Sequence, residues 1–307
     1  MGLLHTLIGR LLYALAWLAG RLPLRWQRGL GAAAGALVHR LDRRPARVAR
    51  RNLEIIAPQD TPARREAEVR RILRATGANG LETLRVWTRP RADNLALVRR
   101  VEGESVLQQA QAQGRGLILA APHFGNWELL IEFMAARGPF SLVYRVPEKR
   151  FGDVFLRLAR GGENVRLVPA EATAMRPLVR ALKAGETVGI TPDQQPKLGG
   201  GEFAPFFGRQ ALTLSLIPKL ARSGAPVVFA WAEPVEDGFA LHFEAGDPRI
   251  GGADLADAVA AMNGQVETIA HRDLAQYQWT YKRFSKRPPG SGETISSRPV
   301  TGYTRPW

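Results

Sequence analysis

At 307 residues, with 45% apolar and 23% charged side chains, the chain has room for one large domain or two ordinary ones and the balance of a folded globular protein. The absence of cysteine excludes a disulfide scaffold, a thiolate zinc site, an iron–sulfur cluster and a cysteine nucleophile. The net charge of +15 is concentrated at one end: residues 1–100 hold 20 arginines, no lysine and seven acids, a net of +13, which points to an anionic surface of lipid headgroups, nucleic acid or an acidic carrier protein, the competing reading being a soluble protein with solvated arginines.

The first elements read as helices. Leu3–Gly20 is mostly apolar and broken by Arg10. Arg21, Arg25 and Arg28 follow, then the apolar stretch Gly29–His39 and a cluster of Arg40, Arg43, Arg44, Arg47, Arg50 and Arg51. The longest run without a charged residue, Gly116–Trp127, has 12 residues, short of the roughly 18 that a spanning helix needs. Leu4, Leu7, Leu11, Leu15 and Leu18, with Trp17 and Trp26, alternate with arginines as in an interfacial, snorkelling helix. A single tilted span with Arg10 near one interface is the alternative. A cleaved signal peptide fits less well, because one Arg precedes the apolar core and strongly basic sequence follows it. By the positive-inside rule the rest of the chain is expected in the cytoplasm. Residues 1–44 are thus a membrane-anchoring helical region, and 45–100 a basic helical module punctuated by Pro45, Pro58, Pro62 and Pro90. Thr61–Pro62 offers an N-cap with proline at the first helical position, and Val69, Ile72, Leu73, Leu81, Leu84 and Val86 form an apolar face.

From residue 101 to 286 strands and helices alternate. Strands are expected at 116–121, 141–145, 165–169, 187–191, 226–232 and 239–244. Helices are expected from Trp127 to Arg137 with Asn126 as cap, and over 175–184, 212–222 and 255–275; Gly199–Gly201 reads as a flexible loop. This pattern predicts an α/β fold, a mixed central sheet with helices on both faces, preceded by the N-terminal helical membrane-associated region. Residues 287–307, rich in Pro, Gly, Ser and Thr, read as a flexible tail.

Five histidines occur, and no two share a metal-ligand spacing with carboxylates around them, so no metal site is expected. Gly-x-Ser-x-Gly, Walker A and dinucleotide fingerprints are absent from the sequence. His123 stands apart, in APHFGNWE directly after an apolar strand and before a helix, where open α/β sheets gather catalytic groups. On a regular helix, residues five apart lie about 140° apart. His123 and Glu128 therefore meet only if His123 lies in the turn and Glu128 in the first helical turn, an arrangement that Pro122 and Gly125 permit. Glu128 would then hold one imidazole nitrogen and leave the other to take a proton from an alcohol. The competing reading is a buried histidine bridging strand and helix, with Glu128 exposed.

The block APHFGNWE resembles the His-x4-Asp/Glu motif of glycerolipid acyltransferases and, more closely, the bacterial late acyltransferases of lipid A biosynthesis, the lauroyl/myristoyl family. Arg50–Arg51–Asn52–Leu53, Tyr144–Arg145, Pro192–Asp193–Gln194–Gln195, the stretch 201–208 (GEFAPFFG), Gln276–Tyr277–Gln278–Trp279 and Lys282–Arg283–Phe284 are similar to further family signatures, in order across residues 50–284. The chain departs from the pattern at His271–Arg272–Asp273, where the family commonly carries a proline, and at Gln195, where it often has an acid.

The resemblance implies transfer of a fatty acyl chain from acyl carrier protein to a hydroxyl of a lipid A precursor, a membrane glycolipid, at the cytoplasmic side of the inner membrane. Acyl-loaded carrier would be the co-substrate, and no cofactor is implied. His123 would act as general base and Glu128 as its orienting acid. The amides of Gly125 and Asn126, or Arg145, are candidates to stabilise the oxyanion. Asp193, Gln194, Phe206 and Phe207 are candidates for the acceptor or acyl pocket. Two alternatives stand beside this: an acyltransferase of the same family acting on another glycolipid, phospholipid or amino-acid lipid, and a non-catalytic anionic-lipid-binding protein. Nucleic acid is disfavoured as a partner because the arginines interleave with leucines and no recognised binding module appears.

Overall fold

In a computed structural model that describes residues 3–290, the leucine-rich N-terminus forms helix α1 (Leu3–Ala19). Pro23 starts α2 (Leu24–Arg40), and Pro45 lies in the first turn of α3 (Arg44–Ile56). The expected cap opens α4 (Pro62–Thr88): Thr61 Oγ1 accepts the Arg64 N–H at 3.2 Å. The short α5 (Arg91–Leu95) completes the helical region. The α2 and α4 backbones touch, and a Cβ on Gly35 would stand 2.0 Å from the Leu73 carbonyl oxygen, so only glycine allows this crossing. No single helix among the described residues is long and apolar enough to cross a membrane; α1 and α2 pass that test only as a pair, bent by 115° at the break. One side of α1 packs inward, with Gly9 against Val154 and the Tyr13 hydroxyl donating to the Trp87 carbonyl at 3.2 Å. Its other side leaves Leu4, Leu7, Leu11, Leu15 and Leu18 exposed.

Beyond it the chain alternates: β1 (Val98–Glu102), α6 (Glu104–Ala112), β2 (Leu117–Ala120), α7 (Glu128–Ala135), β3 (Phe140–Tyr144), α8 (Arg150–Arg160), β4 (Val165–Pro169), α9 (Met175–Lys183), β5 (Thr187–Ile190), β6 (Gly201–Phe206), β7 (Arg209–Leu214), α10 (Leu216–Ala221), β8 (Val227–Val235), β9 (Gly238–Ala245) and α11 (Leu255–Arg272). Seven strands form one sheet in the order β1-β9-β8-β2-β5-β3-β4, while β6 and β7 make a separate hairpin. Every pairing in the large sheet is parallel except β8 with β9, so the sheet is mixed, as the alternation predicted.

Both faces are covered. Ile118, Ala120, Val188, Ile190, Phe229 and Trp231 point into a core shared with Val69 and Ile72 of α4, Leu178 of α9 and Met262 of α11. Their neighbours Leu117, Leu119, Leu142, Val228 and Ala230 meet Leu107 of α6 and Leu129 and Phe133 of α7 on the opposite face. This two-sided burial is why the strands read as unbroken apolar runs.

Some expectations are corrected. Leu212–Arg222 is not one helix: its first three residues belong to β7, whose hairpin turns at Phe207 (φ 50°) and Gly208 (φ 69°), and only Leu216–Ala221 is helical. Asn126 does not cap α7 with its side chain; the residue flanking that helix is Trp127. The last predicted helix stops at Arg272 and gives way to a 3₁₀ turn at Leu274–Gln276. From residue 291 onward, the expected tail lies outside the described residues.

Candidate active site

Strands β2 and β5 are parallel neighbours, with Ala120 opposite Ile190. Three residues past each of those paired ends stand His123 and Asp193. Gly125 makes the intervening turn possible: its φ is +55°, and a Cβ there would lie 1.9 Å from the Ala232 carbonyl oxygen. The turn is clamped by backbone bonds. The Gly125 N–H donates to Gln276 O at 3.0 Å, the Asn126 N–H to Ala232 O at 3.1 Å, and the Gln278 N–H to His123 O at 3.0 Å. The segment 276–278 thus holds the histidine loop as a strand would.

Asp193 grips His123 twice, at Nδ1 (2.7 Å to Oδ1) and through the His123 backbone N–H (2.8 Å to Oδ2). Burial acts to raise the Asp193 carboxyl, but the charge and hydrogen bonds of His123, with a contribution from Arg283, outweigh it and hold the group below the ordinary carboxylate range. An ionised Asp193 accepts the Nδ1 proton, which makes Nε2 the basic nitrogen. Gln194 places its side-chain amide nitrogen 3.1 Å from that Nε2, and the Trp127 ring meets the imidazole edge to face at 5.4 Å.

Glu128 takes another partner. It lies in the first turn of α7, as the spacing required, yet its carboxylate faces α8 and binds Arg160 in a fork, with Nε at 2.9 and 3.1 Å and a further contact from Nη2. Orientation of His123 by Glu128 is therefore corrected: Asp193 holds Nδ1. Arg160 also lies over the Trp127 ring at 5.1 Å, so the Glu128 pair acts on the histidine's aromatic neighbour.

The Gly125 and Asn126 amides, expected at the oxyanion, are both engaged with backbone carbonyls. Arg145 is exposed one residue past β3, with Glu148 3.9 Å away, and is not brought to His123. Phe206 is fully buried among Tyr277, Trp279 and Phe284 rather than on an open pocket. Phe207 packs against Trp279 and His271 at the hairpin turn. A narrow apolar crevice instead runs beside Trp127 between α7 and the sheet, lined by Ala121, Ile131, Phe140, Leu142 and Gly189.

Sequence reading missed two parts of this site. One is the contact of Asp193 with His123, whose signal was an acid at the same offset from its strand end as His123. The other is Arg160, on an amphipathic helix that was not read.

A carboxylate on Nδ1 of a histidine, three residues past a paired strand end of a mixed α/β sheet, places the chain in the α/β class with an arrangement that can serve general-base chemistry. Comparison with known proteins narrows that class. The family model of the bacterial lipid A biosynthesis acyltransferases matches residues 3–286, and the chain belongs to this family; it is an O-acyltransferase. Its relatives include the lipid A biosynthesis palmitoleoyltransferase of Escherichia coli (strain K12), 29% identical over 283 residues that cover 89% of this chain and 90% of the relative. The lipid A biosynthesis lauroyltransferase of the same organism is 30% identical over 278 residues, again 89% and 90%. A lipid A biosynthesis acyltransferase of Haemophilus influenzae (strain ATCC 51907 / DSM 11121 / KW20 / Rd) is 28% identical, with 87% and 86% covered.

Proposed function

We propose that this chain transfers a fatty acyl group from acyl carrier protein to a hydroxyl of a lipid A precursor, with His123 as general base and Asp193 as its orienting acid. The observation that carries the reading is the Asp193–His123 pair at two paired strand ends, in a chain of this family. His123 Nε2 removes the acceptor's hydroxyl proton as the oxygen attacks the thioester carbonyl. The tetrahedral intermediate expels the carrier's thiolate, which recovers that proton from the imidazolium, so the step needs no covalent enzyme intermediate. Gln194 leaves Nε2 when the acceptor enters, and its amide is then a donor beside the developing oxyanion. The exposed leucines of α1 and the arginines that follow it support attachment to the inner membrane from its cytoplasmic side.

A mass-resolved transfer assay tests this. Wild type and His123→Ala are given a pool of acyl carrier proteins bearing different chains, together with a membrane glycolipid extract. Wild type is expected to add one acyl mass to a lipid A precursor, and folded His123→Ala to lose activity by at least about 10²-fold. Acylation of a different lipid would keep the chemistry and overturn the acceptor. Full activity in the variant would remove His123 from the base role.

A further inference from the structure

Asp193 stands in the loop that leaves β5, and a group that orients a catalytic ring needs support of its own. Part of that loop's support is His123 itself, which meets Asp193 twice and Gln194 once. A carboxylate held only by the ring it orients would move with that ring. Further support comes from the chain's C-terminal segment, residues 276–286.

This segment is a fixed platform. Trp279, Arg283 and Phe284 are buried, the Asn52 side-chain amide of α3 donates to the Trp279 and Tyr281 carbonyls at 2.7 and 2.8 Å, and Arg283 Nη1 donates to the Leu212 carbonyl of β7 at 2.7 Å. Its first residues hold the His123 turn through the Gln276 carbonyl and the Gln278 N–H. Its last residues reach the other loop, and Gln195 is where they meet it. The Gln195 backbone N–H donates to Tyr281 Oη at 2.9 Å, its side-chain Nε2 donates to the Arg283 carbonyl, and its Oε1 accepts the Ser285 hydroxyl at 2.8 Å. Lys286 Nζ donates to the next carbonyl, that of Pro196.

We infer that Gln195 is a positioning residue of the dyad: its side-chain amide ties the turn carrying Asp193 and Gln194 to the C-terminal segment, and so fixes the orienting carboxylate independently of the histidine it orients. This rests on the base and orienting roles given to His123 and Asp193 above.

The contact calls for an amide. One side chain has to donate to a carbonyl and accept from a hydroxyl at the same time, with both partners carried by the platform. A carboxylate of the same shape still accepts from Ser285 but turns an acceptor onto the Arg283 carbonyl, and an aliphatic chain satisfies neither partner. Tyr281 and Lys286 bind backbone atoms of the loop, so their bonds do not depend on the side chain at position 195.

The His123 backbone amide reports on the loop directly, because it donates to Asp193 Oδ2 at 2.8 Å. In residue-resolved hydrogen exchange on the full-length protein, Gln195→Glu is expected to speed exchange of that amide by about tenfold, while the Ile118 amide of β2 keeps its rate. The kinetic counterpart is a cycle with Asp193→Asn. Gln195→Glu alone is expected to lower kcat about tenfold with KM within about threefold, but to change kcat by less than about twofold in the Asp193→Asn background, where the carboxylate it positions is gone.

A folded Gln195→Glu whose His123 amide exchanges at the wild-type rate overturns the inference, since the loop is then held without the side chain. An equal fall in kcat in both backgrounds overturns it too and leaves Gln195 as a brace of the C-terminal segment. If Gln195→Glu does not fold, Ser285→Ala removes one of the two side-chain bonds and is expected to speed the same amide by about threefold; an unchanged rate there counts equally against the inference. Exchange needs no substrate, so a protein that transferred no acyl group would fail the proposed function while the exchange result still decided the role of Gln195.

Discussion

His123 and Asp193 are separated by 70 positions, and what joins them is the shared offset past two paired strand ends. Asp193→Asn keeps the shape but presents an amide to Nδ1 and removes the charge that sets the tautomer. It is expected to cut kcat by about 10²–10⁴ while leaving KM within a few fold. Steady-state kinetics on the folded variant check this, and a kcat within threefold of wild type would sink the dyad. Glu128 should behave differently. Glu128→Gln leaves Arg160 buried without its anion, and a broken buried pair costs roughly 3–5 kcal/mol. Urea unfolding is expected to show that loss, with Glu128→Gln/Arg160→Met recovering most of it; an unchanged midpoint in the single variant contradicts the structural weight given to the pair. His123 was legible in the sequence because its signals are local: an apolar strand, a turn with proline and glycine, and then a helix. The partner of its ring was not, since strand order decides whether Asp193 or Glu128 reaches Nδ1, and strand order is a long-range property.

Glu66 ties three helices of the N-terminal module together. It sits on α4, takes the Arg50 guanidinium of α3 at 2.8 and 2.9 Å, and meets His39 Nε2 of α2 at 2.6 Å. The Arg50 hydrogen bonds outweigh the opposing effect of burial, with His39 adding to them, and lower the Glu66 carboxyl from 4.5 to about 2. A depressed carboxyl contributes stability that is fully present above its unfolded value and is lost as pH falls through its folded one. Helical signal followed during acid titration is therefore expected to weaken between pH 4.5 and about 2 in wild type, and Glu66→Gln should be less stable at neutral pH and flatter across that window. Identical slopes in the two proteins would show that the tie carries no weight. At this scale much of the fold was readable: Val165–Pro169 falls on its predicted bounds, and the runs around β2, β3, β5, β8 and β9 stood out because both sheet faces are buried. The hairpin was not. The apolar residues of β7 run on into α10, so a strand and a helix shared one hydrophobic stretch and periodicity could not divide them.

The whole molecule presents its apolar and basic surface on one end of the chain. Leu7, Leu11 and Leu15 of α1 are 53%, 61% and 54% exposed, while Gly9 and Ala16 on the other side of the same helix are buried against the protein. A helix with one face committed to its own domain cannot be surrounded by lipid, and α1 and α2 diverge by 115° instead of continuing along one axis. For the membrane attachment proposed above, this geometry fits a helix lying in the interface rather than one crossing it, with its leucines immersed and the neighbouring arginines at headgroup level. Burying a leucine side chain is worth about 1.5–3 kcal/mol, and an arginine near an anionic surface about 1 kcal/mol, a contribution that salt weakens. Wild type is thus expected to float with vesicles containing phosphatidylglycerol and to remain partly bound in molar salt. The triple variant Leu7→Glu/Leu11→Glu/Leu15→Glu should lose affinity by roughly 10³-fold, since about 1.5 kcal/mol per leucine is forfeited. It should also keep its thermal midpoint, because those side chains face outward in the folded protein. A triple variant that floats as well as wild type would mean that the membrane is held elsewhere, and release of wild type by salt alone would mean that charge, not the leucine stripe, does the holding.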